Sequence, residues 1–255
     1  MESTKNTMRI AAIGDIHFSE DDKGKWRDFF DAVSRSADVL LITGDLTHTG
    51  DESEAEVLAN ELRACQIPVI AVLGNHDYEK GRHKLIRQTL VSNPNVHILD
   101  GECIVINGVG FAGVKGFGGG FDNFMLSMFG EPEMKAFVQT AVDESLKLER
   151  ALARLDQEHH DIPKIALLHY SPIAETINGE PKEIYPFLGS SRLAEPLLRR
   201  KVRAAFHGHA HAGTLNGKLG DIPIYNVARP VLIKEQPEPG YFIFNLETEK
   251  ITESA

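Results

Sequence analysis

Three short apolar runs, each closed by glycine and a polar residue, constrain this chain more than any other feature: RIAAIGD (residues 9–15), DVLLITGD (residues 38–45) and PVIAVLGNHD (residues 68–77). Runs that are apolar throughout, rather than alternating, are the mark of strands buried on both faces, and burial on both faces belongs to parallel sheets. Between them Trp26, Phe29, Phe30 and Val33 fall at i, i+3, i+4 and i+7, and Ala55, Leu58, Ala59 and Leu62 repeat that spacing. Each segment is predicted to be a helix with one core-facing stripe. Strand, helix, strand, helix, strand in that order implies parallel pairing with right-handed crossovers. The second half continues with VHIL, CIVING and VGFAGV as strands, a long amphipathic helix around residues 134–155, then PKIALLH, RAAFHGH, IPIYNV and GYFIFNLE as further strands. No linker, repeat or low-complexity block interrupts the pattern. The expectation is an α/β chain in which residues 1–255 form a single domain of two packed mixed β-sheets with helices outside.

Composition narrows the partners. With 255 residues, 42% hydrophobic and 25% charged, the chain is long enough for a large core. Its 27 basic and 37 acidic residues leave a formal charge of −10. Such a chain repels duplex nucleic acid and anionic membranes unless bound cations reverse the local field. Only Cys65 and Cys103 occur, and MESTKNTMRI has no apolar signal core, so a reduced, cytoplasmic setting is expected.

The polar residues that end the predicted strands form a set of their own: Asp15 and His17, then Asp45, then Asn75, His76 and Asp77, then His169, then His209 and His211. In α/β sheets the carboxyl ends of strands border the ligand crevice. Carboxylate, imidazole and amide oxygen without thiolate suit Mn²⁺, Fe, Zn²⁺ or Ni²⁺ in an open site. Taken singly, Asp15 reads as a helix cap and Asp45 as a turn residue. Five histidines and an asparagine at matching strand ends make the joint reading the stronger one.

On GDIH (residues 14–17), GD (residues 44–45), GNHD (residues 74–77), the histidine of LLHYSP and GHAH (residues 208–211), the chain resembles the calcineurin-like metallophosphoesterases, and of these it is most similar in pattern to the small bacterial phosphodiesterases. The resemblance spans residues 9–245 and implies a four-layer fold with two sheets between helices. It also implies two divalent metal ions, one on Asp15, His17, Asp45 and His211, the other on Asp45, Asn75, His169 and His209. A bridging carboxylate such as Asp45 suits a pair of cations, and a hydroxide held between them is the expected nucleophile. His76 is then the proton donor to the leaving oxygen, with Asp77 orienting its ring.

The expected substrate is a small phosphate ester, a diester before all others, with nucleotides among the candidates. A phosphomonoesterase or protein phosphatase, a lipid-linked diphosphate hydrolase and a non-catalytic scaffold are the other readings. His207 precedes the GHAH block and is expected to be a packed or supporting histidine, on the same face as His209 if the strand stays extended. His48 is read as a loop residue or a visitor to the pocket mouth, and Arg229 as a phosphate partner or a surface ion pair. GFGGGF (residues 116–121) is read either as a lid whose phenylalanines stack a base or as a tight loop with both rings buried.

Overall fold

The computed structural model describes residues 6–248, so the first half of the segment expected to lack a signal core, and the two ends of the expected domain, lie outside the described residues. The strands are β1 (Asn6–Ile13), β2 (Val39–Thr43), β3 (Val69–Val72), β4 (Val96–Ile98), β5 (Glu102–Ile106), β6 (Val109–Gly113), β7 (Lys164–Leu167), β8 (Ala204–His207), β9 (Asn216–Leu219), β10 (Ile222–Asn226) and β11 (Phe242–Thr248). They form a five-stranded sheet in the order β11-β1-β2-β3-β4 and a six-stranded sheet in the order β5-β6-β7-β8-β10-β9. Both are mixed, as expected. The strands β1 to β4 run parallel and β11 joins antiparallel, while β6, β7, β8 and β10 run parallel between antiparallel edges β5 and β9.

The crossovers are α1 (Arg27–Ser36) between β1 and β2, α2 (Glu52–Glu61) between β2 and β3, and α3 (His83–Leu90) between β3 and β4. Phe30 and Val33 carry the buried stripe of α1, and Ala55 and Leu58 that of α2. The long helix α4 (Pro132–Glu158) follows β6, with proline in its first turn, where the missing N–H is no loss. The shorter α5 (Tyr185–Leu188), α6 (Ala194–Arg199) and α7 (Arg229–Glu235) complete the chain. None of the described helices is long and apolar enough to cross a membrane.

Alternation along the second sheet explains the layering. Phe111, Ile165, Leu167 and Phe206 face the first sheet and join its core with Ile10, Leu40 and Ile70. Their neighbours Ala112, Ala166, Leu168 and Ala205 face the other way, against Leu148, Leu152 and Leu155 of α4. Phe206 binds the two sheets together: it is fully buried, and its ring lies 5.3 Å from Tyr225 in its own sheet and 5.8 Å from Phe244 of β11 in the other.

Phe206→Ala should therefore cost about 3–5 kcal/mol of unfolding free energy through lost burial and a residual cavity. A urea titration reads this as a lower midpoint at unchanged slope. A loss under ~1 kcal/mol would mean that the two sheets do not depend on this contact.

Candidate metal centre

The ends of β1, β2, β3, β7 and β8 open on one crevice, and the polar residues that close those strands meet there. Three groups of donor atoms each fall within 4.8 Å of one another: Asp15, His17 and His211; His17, Asp45 and His76; Asp45, His169 and His209. Asn75 joins the third through its side-chain oxygen, 2.8 Å from Nε2 of His169. Asp45 faces both sides, with Oδ2 3.7 Å from Nε2 of His17 and Oδ1 3.4 Å from Nε2 of His169.

Backbone strain is concentrated at the same place. Asp15, His17, Asp45 and His209 have φ of 53°, 43°, 48° and 69°, a region that residues with a side chain seldom adopt. The glycines beside them serve close approach. A Cβ on Gly74 would sit 2.1 Å from Oδ1 of Asp45, and one on Gly208 would sit 2.2 Å from Oδ2 of Asp15. Each carboxylate thus lies against backbone that belongs to another strand.

The electrostatics fit cation binding. Burial pushes the imidazoles of His17 down to about 4 and of His209 down to about 3, and holds that of His169 well below its ordinary value. These rings are neutral at pH 7 and keep a lone pair for a ligand bond. Burial, then repulsion from Asp15 and Asp77, pushes the Asp45 carboxyl well above the usual range, so that its anionic form calls for nearby positive charge. The His211 imidazole is raised by its hydrogen bond to Asp15, at 2.9 Å. His17 supplies the direct test of fit. Both its ring nitrogens are buried without a hydrogen-bond partner among the described residues, the state expected of an imidazole whose partner is a cation. Carboxylate, imidazole and amide oxygen in these groups are a donor set that a divalent ion fits.

His76 stands at the edge of the crevice, its side chain 35% exposed and its ring 4.5 Å from that of His17. Nδ1 of His76 lies 2.7 Å from the carbonyl oxygen of His48, so Nδ1–H donates there and Nε2 is the nitrogen left for other partners. The His48 ring stacks on it at 6.3 Å, which places His48 at the pocket mouth. Asp77 is not beside this ring. Its fully buried carboxylate accepts hydrogen bonds from the amides of Gly74, Leu46 and Thr47 and from the Thr47 hydroxyl, at 2.7, 3.2, 2.8 and 2.6 Å. It ties the turn after β3 to the turn after β2, and the backbone of His48 does the orienting expected of Asp77.

Other expectations resolve as follows. His207 is buried and turned from the donor groups. Its Nε2 lies 2.7 Å from the Thr176 hydroxyl and its Nδ1 2.8 Å from the Gly208 carbonyl. The strand ends at His207, and the positive φ of His209 breaks the extended run that would have put the two on one face. Arg229 meets neither a carboxylate nor the crevice among the described contacts, and its guanidinium lies over the Trp26 ring at 5.3 Å. Phe121 is buried and Phe117 packs against the second core, so the glycine-rich segment is a tight loop and not a stacking lid. That loop braces one of the donor residues. Gly119 donates to the carbonyl of Pro186, and the next carbonyl, of Phe187, lies 3.1 Å from Nε2 of His209. The Phe187 carbonyl fixes the tautomer that leaves Nδ1 of His209 free.

With this geometry in hand, comparison with known proteins is direct. Residues 8–213 match the family described as calcineurin-like phosphoesterase. A probable cyclic nucleotide phosphodiesterase of Moraxella catarrhalis is 35% identical over 89 residues, which is 32% of this chain and 32% of that protein. A second protein of that description, from Synechococcus, is 22% identical over 225 residues, covering 83% of this chain and 76% of its own. Among solved structures, phosphopantetheinyl hydrolase from Mycobacterium tuberculosis shares the fold at a TM-score of 0.64 and 15% identity, over 92% of this chain and 95% of that one. The match over residues 8–213 takes in every donor residue of the crevice, and the chain belongs to the calcineurin-like phosphoesterase family.

Proposed function

We propose that the chain works as one phosphoesterase domain that hydrolyses phosphate esters, diesters first, with two divalent metal ions. The observation that carries this reading is Asp45, whose two carboxylate oxygens face two different groups of donors across one crevice. One ion would be held by Asp15, His17, Asp45 and His211, the other by Asp45, Asn75, His169 and His209. When bound, such a pair supplies an activated water and neutralises charge on the phosphoryl oxygens. Manganese, iron, zinc and nickel all suit the donor set. The diester preference draws support from the names of the Moraxella and Synechococcus relatives.

The protein's own part is to position groups and to move one proton. Protonated His76, its Nδ1–H held by the His48 carbonyl, gives up the proton on Nε2 to the departing oxygen. Asp77 holds the Asp45 turn and the Asn75 turn in register through its four hydrogen bonds. His207 and Thr176 fix the backbone at Gly208, between β8 and the two ligands that follow it.

Three outcomes follow. In Asp45→Asn, uptake of both ions should fail. Saturating manganese, which at a hundred times its dissociation constant adds about 2.7 kcal/mol of stability to the wild type, should add far less to the variant. Elemental analysis with a thermal melt reads both, and a variant that keeps two ions would refute the bridging role. His76→Ala should keep its metal and lose activity according to the leaving group: on the order of 10²–10⁴ for an alkyl diester and much less for an aryl diester, whose phenolate departs unaided. Equal losses on both substrates would remove His76 from the acid role. Asp77→Asn sets amide hydrogens against donors that in the wild type meet a carboxylate oxygen. It should cost about 1–3 kcal/mol in a urea titration, with rates falling alike on both diesters; a selective loss on the alkyl diester would return Asp77 to the service of His76.

A further inference from the structure

Lys115 lies beside the crevice and carries a charge that the reading above leaves without a use. It follows β6, and its carbonyl accepts hydrogen bonds from the amides of His169 and Tyr170, at 3.0 and 3.1 Å. The side chain therefore starts next to a candidate ligand. Its ammonium is boxed by three aromatic rings, with Nζ 4.9 Å from the centre of Phe117, 5.1 Å from Tyr170 and 5.3 Å from Tyr78. Two of these rings tie the box to the crevice: Tyr170 lies 4.3 Å from the His209 ring, and Tyr78 shares one turn with His76 and Asp77.

The box supplies attraction to ring faces and a single hydrogen bond, to the Gly116 carbonyl at 2.8 Å. An ammonium has three N–H donors, so two are left over. The acidic neighbours are engaged elsewhere. Glu144 accepts from Lys147 at 2.8 Å and from the Gly116 amide at 2.9 Å, and Asp100 accepts from Lys147 at 2.9 Å. Among the described residues no carboxylate forms an ion pair with Lys115. A cation withdrawn from water without a counter-ion is costly, and the cost is recovered when an anion arrives. Crevice walls that hold such a cation next to His169 and His209 are built to receive one.

We infer that Lys115 binds a phosphoryl oxygen of the substrate, and of the phosphate product, on the Asn75, His169 and His209 side of the crevice. The inference rests on the phosphoesterase reading and adds a protein-borne cation to the charge the metal ions would supply. Its aromatic box keeps the long side chain in one place, so little freedom is lost when the oxygen binds.

The test measures inorganic phosphate binding by titration calorimetry to the manganese-loaded full chain, as wild type and as Lys115→Met, with metal content determined alongside. Methionine keeps an unbranched stem between the rings and removes the charge. The expected result is two ions in both proteins and a phosphate dissociation constant raised roughly ten- to a hundredfold in the variant, the span of one charge-assisted hydrogen bond. Unchanged phosphate affinity would overturn the assignment, as would loss of an ion, which would make Lys115 a support for the ligands. Wild-type protein that takes up manganese yet binds no phosphate at millimolar concentration would overturn it as well. A wild-type crystal soaked in phosphate, with manganese present, gives a reading that needs no variant: Nζ should lie about 2.7–2.9 Å from a phosphate oxygen, and a gap beyond about 4 Å contradicts the proposal. Absence of diesterase activity with the calorimetric difference intact would sink the diester reading and leave the Lys115 assignment standing.

Discussion

Three carboxylates, Asp15, Asp45 and Asp77, are withdrawn from water at the ends of adjacent strands, and their mutual repulsion governs how the crevice is built. Each is handled differently. Asp77 is wrapped by four hydrogen bonds and serves as a tie between turns. Asp15 takes the His209 amide and the His211 ring. Asp45 takes a single hydrogen bond among the described residues, from the His76 amide at 2.9 Å, and turns its remaining capacity toward neutral imidazoles. An anion so sparsely bonded is expensive to bury, and neutral rings do little to offset it. The strained φ values at Asp15, His17, Asp45 and His209 are part of the same arrangement, since ordinary backbone would point these side chains elsewhere.

The fold was readable because its strongest signals are local. Apolar runs buried on both faces and helical stripes at 3.6-residue spacing place β1 to β3 and their crossovers without tertiary information. The edge strand β9 escaped, since Asn216–Leu219 reads NGKL and carries neither an apolar run nor a clean alternation; it pairs only because β10 offers an edge. The donor residues were readable for a related reason, as each closes a strand whose direction the pattern had already set.

What could not be read depends on groups that a sequence does not display. The carbonyl of His48 orients His76, and any residue carries a carbonyl, so nothing marked position 48 for that work. Asp77 is adjacent to His76 in the chain, but in the tight turn its carboxylate points inward to four donors. Tyr78 and Tyr170 come from segments distant from Lys115 and meet around it only in the folded chain, so nothing local marked that lysine. Arg229 drew notice by lying next to a strand end, but α7 begins there and carries it over Trp26.

The carbonyl of Phe187 has a consequence for how this scaffold can change. It holds the ring of His209, while the residue before it is pinned by the amide of Gly119. A Cβ on Gly118 would come within 2.5 Å of that same Pro186 oxygen. The segment that borders the crevice and the loop that braces it are therefore coupled to the His209 ring through two consecutive carbonyls. Variation there alters the shape of the crevice and the aim of a donor histidine in one step. Remodelling residues 182–189 for a new substrate therefore re-aims the His209 ring as well, whereas changes in the His48 turn, which holds His76, leave His209 untouched.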